Sequence, residues 1–256
     1  MTRRWPGLRR HPDGGLTVRL DGIDAPETHY LASGGLGVLR QPSPWPDRAA
    51  AALLEFLGFQ RVGRHSDERV VSAEPPAVAG AIALRRADKY GRAVAFAFRG
   101  RFRISSSQRF ALTAPVVRSS ANWHLLTQGL AYPVFYQDMP QPLLELMGRA
   151  GHEARAAGLG LWPHDRSHDG FTLASLDALQ REALLWPKLF RRLVDHVGGN
   201  GGQLSLAAFG AYLESEVGVV RLWQAGCDAA FTSLVSVEQA SVRLLVPPEA
   251  IAFAED

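Results

Sequence analysis

Residues 17–30 read TVRLDGIDAPETHY. A strand-like opening, TVRL, runs into an arginine, two aspartates and a glutamate (Arg19, Asp21, Asp24 and Glu27) inside nine residues. Strands of soluble domains place charge on the solvent face, yet Asp24 and Glu27 flank an Ala25-Pro26 pair whose proline fixes the backbone between them. The cluster is either a solvated strand end or a site, and the rest of the chain decides which.

Downstream, a Gly/Pro-rich stretch leads into a helix pattern. Asp47 is an N-cap, residues 49–52 are alanines, Leu53, Leu54, Phe56 and Leu57 form an apolar stripe, and Gly58 stands where a C-terminal cap belongs. Residues 69–74, 78–85 and 93–98 carry β-branched and small apolar residues. ADKYGR joins the last two runs like a hairpin turn with Gly91 free to take positive φ, so Arg92 emerges from a tight turn. A second helix is expected from the Ser120 N-cap to Gln128, ended by Gly129, and a third from Pro142 to Ala157, ended by Gly158. LGLWP reads as a docking tail anchored by Trp162, and DRSHDG, residues 165–170, as a linker. Helical spacing through SLDALQREALLWPKLFRRLVDHVG, a helical patch at 205–216 and strand-like alternation over 231–253 then predict a small α+β appendage, packing over the first part or mediating contacts.

The chain has 256 residues, 46% hydrophobic and 21% charged, a globular composition sufficient for one large domain or two modest ones. No run approaches the roughly 20 apolar residues of a membrane span. The start, MTRRWPGLRRHP, has the charges of a signal peptide without its apolar middle, so the chain as written is expected in the cytoplasm, with export reserved for the case of a longer upstream segment. One cysteine, Cys227, excludes an internal disulfide framework and a Cys-based zinc site. Charge is uneven: residues 1–165 hold 21 Lys+Arg against 14 Asp+Glu, whereas 166–256 hold 7 against 11. The basic part is the candidate for a polyanion, and nearly all its cations are arginine, the better bidentate phosphate partner.

The order strand, VRLDGIDAPE, helix, hairpin with DKYGR, helix, QGLA, helix, LGLW resembles the thermonuclease family typified by staphylococcal nuclease, over roughly residues 16–163. The resemblance implies an α+β fold, a five-stranded OB-fold β-barrel with three helices, that cleaves phosphodiester bonds of DNA or RNA with Ca²⁺. It places the nuclease-like domain at 1–165 and leaves 166–256 as an acidic segment whose partner is unknown. By position, Glu27 resembles the family's general base and Asp24 its calcium ligand, with the Ala25 carbonyl beside it; Arg19 and Arg92 resemble its phosphate-clamping arginines. Lys89 and Tyr90 match positions that touch the nucleotide, and Phe135 or Tyr136 lies near where the family presents an aromatic ring to a base. The residue types suit the reaction, which needs a base to prepare water, a cation to hold carboxylates and phosphate together, and positive donors for developing charge. Oxygen-only ligation is what Ca²⁺ accepts.

One part of the family's set has no counterpart here. Ahead of the VRLDGIDAPE equivalent the family carries an Asp-Gly-Asp-Thr strand whose second aspartate binds calcium, whereas only fifteen residues precede Leu16 and the nearest match, Asp13-Gly14-Gly15, has hairpin-turn chemistry. The first strand is therefore displaced or absent, or the gene begins further upstream. Asp21, on the face of Arg19, is the substitute ligand on offer. Losing a carboxylate weakens a Ca²⁺ site, so two functions stay open: a calcium-dependent phosphodiesterase, or a non-catalytic OB-type module for nucleic acid or protein, a truncated inactive homologue included. His164 and His168 with Asp165 and Asp169 read as polar linker, and His124 as a packed residue. The EF-hand-length stretch from Asp195 fails as a calcium loop, with Val197 and Gly199 at ligand positions.

Overall fold

In a computed structural model, describing residues 7–65, 69–100 and 111–254, the opening motif forms the strand Val18–Leu20, paired in parallel with Ala93–Arg99 so that Arg19 stands opposite Val94. Ala93–Arg99 in turn pairs antiparallel with Gly80–Ala87 through the expected DKYGR hairpin, where Gly91 N donates to Asp88 O at 2.9 Å. A bulge between Leu84 and Arg86 lets Arg85 and Arg86 face the same way, and both meet the Asp138 carboxylate.

Three helices flank this sheet much as the caps predicted. Trp45–Leu57 starts three residues earlier than an Asp47 N-cap implies: Pro44 stands at the N-cap, Pro46 sits in the first turn, and Asp47 lies inside the helix, accepting from Arg40 and Ser43. Ala121–Thr127 is capped by Ser120, whose side chain accepts from Trp123 N, and Gln141–Ala156 ends before Gly158. Asn122 is buried on the second of these helices; it donates to Asp21 O and Ala95 O and accepts from Ala97 N, stitching the helix to both parallel strands.

The QGLA and LGLW blocks meet each other. Leu161 N donates to Gly129 O at 2.8 Å. Gly129 and Gly160 hold φ of 63° and 57°, and a Cβ on either would come within 2.2 Å of the opposing backbone. Only glycine permits that approach, which seats Leu161 and Trp162 in the core.

The closed five-stranded barrel expected from the resemblance is not formed among the described residues. The principal sheet of this part has three strands, and residues 10–16 fold back on themselves through an Arg10–Leu16 bridge around Asp13-Gly14-Gly15 instead of adding to it. The architecture is mixed α+β with several small sheets.

The segment after residue 165 is knit into the rest. Helices Leu176–Arg181 and Pro187–Gly199 divide the stretch read at helical spacing, with non-helical residues and the buried Trp186 between them, and Phe209–Glu216 forms within the patch expected at 205–216. Strand Ile251–Phe253 pairs in parallel with Phe135–Tyr136 and extends into Val219–Leu222 and Cys227–Ala230. One apolar cluster joins Tyr132, Val134, Tyr136, Leu161 and Trp162 to Trp186, Leu189, Phe190, Leu193, Phe231 and Phe253. A second lies between the sheet and its helices around Phe96, Phe98, Leu125, Phe135 and Met147. The stretch 165–170, read from sequence as a linker, is pinned instead: Ser167 is buried, donates to Asp165 and accepts from Trp186 N.

The Pro187–Gly199 helix docks on the 24–35 stretch at near-contact distance. A Cβ on Gly198 would sit 2.1 Å from Ser33 O. Gly198→Ala is therefore expected to lower stability by about 1–3 kcal/mol in urea denaturation; an unchanged midpoint would mean that the 33–35 turn moves aside freely.

Candidate functional site

Arg19, Asp24, Ala25 and Glu27 line one cleft of about 290 Å³, floored by Leu20, Ile23, Ala49, Leu53 and Leu125. Asp24 is held in register by pairing of Ile23–Asp24 with Tyr132–Pro133. Glu27 is fixed through its backbone: its N–H donates to Gln41 Oε1 at 3.0 Å, and its carbonyl accepts from Gln41 N at 2.9 Å. The buried Gln41 then donates to Leu185 O at 2.6 Å, so the loop bearing Glu27 is tied to the C-terminal segment.

Between the two carboxylates lies a residue that sequence reasoning missed. Arg191, from the Pro187–Gly199 helix, donates from Nη2 to Asp24 Oδ2 at 2.5 Å and from Nη1 to Glu27 Oε1. Its side chain is 21% exposed and the carboxylates 19% each. Lys188, Arg191, Asp195 and Gly198 recur at i, i+3, i+7 and i+10, one helical face, and that face meets the site loop. Asp195 accepts from Tyr30 Oη at 2.6 Å and Ser33 N at 3.2 Å, while Lys188 lies over the Tyr136 and Phe253 rings. A readable signal existed: a charged stripe along a helix that also carries the apolar, buried Leu189, Phe190, Leu193, Val194 and Val197.

The two carboxyls part in proton affinity. Burial alone would raise Asp24, but Arg191, aided by Arg19 and Lys188, overrides it and holds the group below the usual carboxylate range. Burial pushes Glu27 up, and with the added repulsion of Asp24 it outweighs the opposing pull of Arg191 and His29. One guanidinium shared by two carboxylates leaves the less supported one the easier to protonate. Arg19 donates to Tyr136 Oη at 2.7 Å and stacks on its ring.

The remaining sequence candidates are placed differently. Arg92 lies two residues before Val94, near Arg19 in register, but its guanidinium is turned to Asp88 at 2.6 Å and over the Tyr90 ring. Lys89 also sits over Tyr90, which is 59% exposed. The expected base-facing aromatic is not found: Phe135 is fully buried against Trp223, and Tyr136 is buried beneath Arg19, Arg86 and Lys188, because alternation along one strand sends the two rings into the two cores. Asp21 is no ligand either, being buried in an ion pair with Arg85 at 2.5 Å. His124 stacks on Phe56, and Asp165 accepts from Tyr132 and Ser167.

Asp24 and Glu27, with the Ala25 carbonyl next to Asp24 in sequence, have the oxygen chemistry of a calcium site, but Arg191 bridges the two carboxylates, and among the described residues no group of three or more His, Cys, Asp or Glu converges. As folded, the site does not fit a Ca²⁺ ion. No described helix is long and apolar enough to cross a membrane.

The model of staphylococcal nuclease homologues matches residues 17–164, more than half of the chain. The protein belongs to this family. Membership points to a nuclease or nucleic-acid-binding function, in a family that is typically calcium-dependent. No curated protein matches the chain.

Arg191→Ala should cost about 3–5 kcal/mol near neutral pH by leaving two buried carboxylates without their shared counter-charge. Without it both carboxyls rise above their unfolded values, and a folded-state pKa above the unfolded one means that stability returns as pH falls through it. Urea midpoints of the variant should therefore approach those of the parent at pH 5 and fall away at pH 8; a pH-independent loss would refute the assignment.

Proposed function

We propose that the chain binds single-stranded nucleic acid and, with the Pro187–Gly199 helix seated, does not hydrolyse it. The observation that carries this reading is Arg191, whose guanidinium engages both Asp24 and Glu27. A base already donated to by a guanidinium is poorly placed to take a proton from water, and a cation cannot enter the space that the guanidinium fills. Family membership and the exposed Tyr90 ring flanked by Lys89 and Arg92 support nucleic acid as the ligand, since cations contact phosphate and an open ring stacks a base. The three-stranded sheet then serves as the OB-type platform that carries this hairpin.

A second reading is the calcium-dependent nuclease, with Glu27 as general base, Asp24 and Ala25 as metal ligands, and Arg19 and Arg92 stabilising the phosphoryl charge. It is favoured by the gathering of Arg19, Asp24, Ala25 and Glu27 in one cleft. It requires Arg191 to withdraw.

Fluorescence anisotropy with labelled single-stranded DNA and RNA separates the two when each oligonucleotide is also followed for cleavage with Ca²⁺ or a chelator. Binding should weaken steadily with added salt, and Tyr90→Ala should cost about 1–3 kcal/mol of affinity. No calcium-dependent product should form. Turnover that requires calcium and disappears in Glu27→Ala would overturn the first reading and establish the second.

A further inference from the structure

We propose that Arg191 is a built-in replacement for the metal: a guanidinium, delivered by the chain itself, takes the position between Asp24 and Glu27 that a divalent cation would otherwise occupy. The inference rests on the function proposed for the chain only in taking Asp24 as the family's calcium-ligand position and Glu27 as the general-base position beside it.

Three observations carry it. Arg191 gives one N–H to each carboxylate, the same bridging that a hard cation performs through its coordination bonds. The bridge is not an exposed ion pair that solvent could exchange, since all three side chains are about four-fifths covered. The helix that delivers it is committed on every side: Asp195 takes hydrogen bonds from Tyr30 and Ser33, Gly198 abuts Ser33, and Leu189, Phe190 and Leu193 are fully buried. A calcium ion entering the pair would have to displace the Arg191 side chain from both carboxylates, while the helix that carries it stays packed in the core. Arg19 and Lys188 act on Asp24 as further positive charges, so the intact cluster has no unmet demand for a cation.

Removing the guanidinium would leave two largely buried carboxylates facing a vacated position, the donor set of a weak, millimolar-class calcium site. Thermal unfolding of the full chain, with calcium varied at matched ionic strength, tests this. The parent midpoint should not respond to millimolar Ca²⁺, Arg191→Ala should be raised by it, and adding Glu27→Gln to Arg191→Ala should remove the response. Should Arg191→Ala be unfolded without metal, far-ultraviolet circular dichroism takes over as the readout: recovery of the folded spectrum on adding Ca²⁺ supports the proposal, and a chain that stays unfolded overturns it. It is equally overturned by a folded Arg191→Ala indifferent to calcium, or by a parent protein whose midpoint rises with calcium and loses that rise in Glu27→Gln. Oligonucleotide binding by the parent is measured separately, so loss of the nucleic-acid reading and loss of this one give different patterns.

Discussion

The Arg191 guanidinium shared between Asp24 and Glu27 is the interaction on which the site depends. Two carboxylates cannot be buried side by side without a counter-charge, because desolvation and mutual repulsion both act against the ionised pair. Arg191 supplies that charge from about 165 residues away in sequence, with a distance of 2.5 Å to Asp24. The motif that looks self-contained in sequence is thus completed by the C-terminal segment, and Gln41, bonded to both Glu27 and Leu185, adds a second tie between the two.

The short strand Phe135–Tyr136 links the cores in a similar way. Phe135 enters the cluster between the sheet and its helices, and Tyr136 enters the cluster built with Trp186 and Phe253. Tyr136 then serves as an internal floor for cations: Arg19, Arg86 and Lys188 each stand 5.0 Å from its ring centre. An aromatic used this way is withheld from solvent. Tyr90, on the hairpin turn, remains open, so any base stacking falls to the edge of the site and not its centre.

Much of the fold was legible because its signals are local. Ser120 began a helix and Gly58 ended one as their chemistry requires, DKYGR formed its hairpin, and the glycines of QGLA and LGLW proved to be the two sides of one close backbone contact. The barrel was not legible in the same way, because whether a strand pairs depends on what lies at its edge, and residues 10–16 close on themselves. The linker reading of 165–170 failed for a related reason: polar residues mark a loop, but only packing tells whether their hydrogen bonds go to water or, as for Ser167, to the backbone of Trp186.

What the sequence determined by itself was the family, through ordered motifs of unlike residues, and the identity of the carboxylates and arginine that meet in one cleft. What only the tertiary structure decided was their state. A residue type can be read from a pattern, but its charge balance depends on every group within a few ångströms, and burial makes those groups count. For Asp24 and Glu27 the deciding group is carried on a distant helix, seated by apolar packing and by the close approach of Gly198 to Ser33.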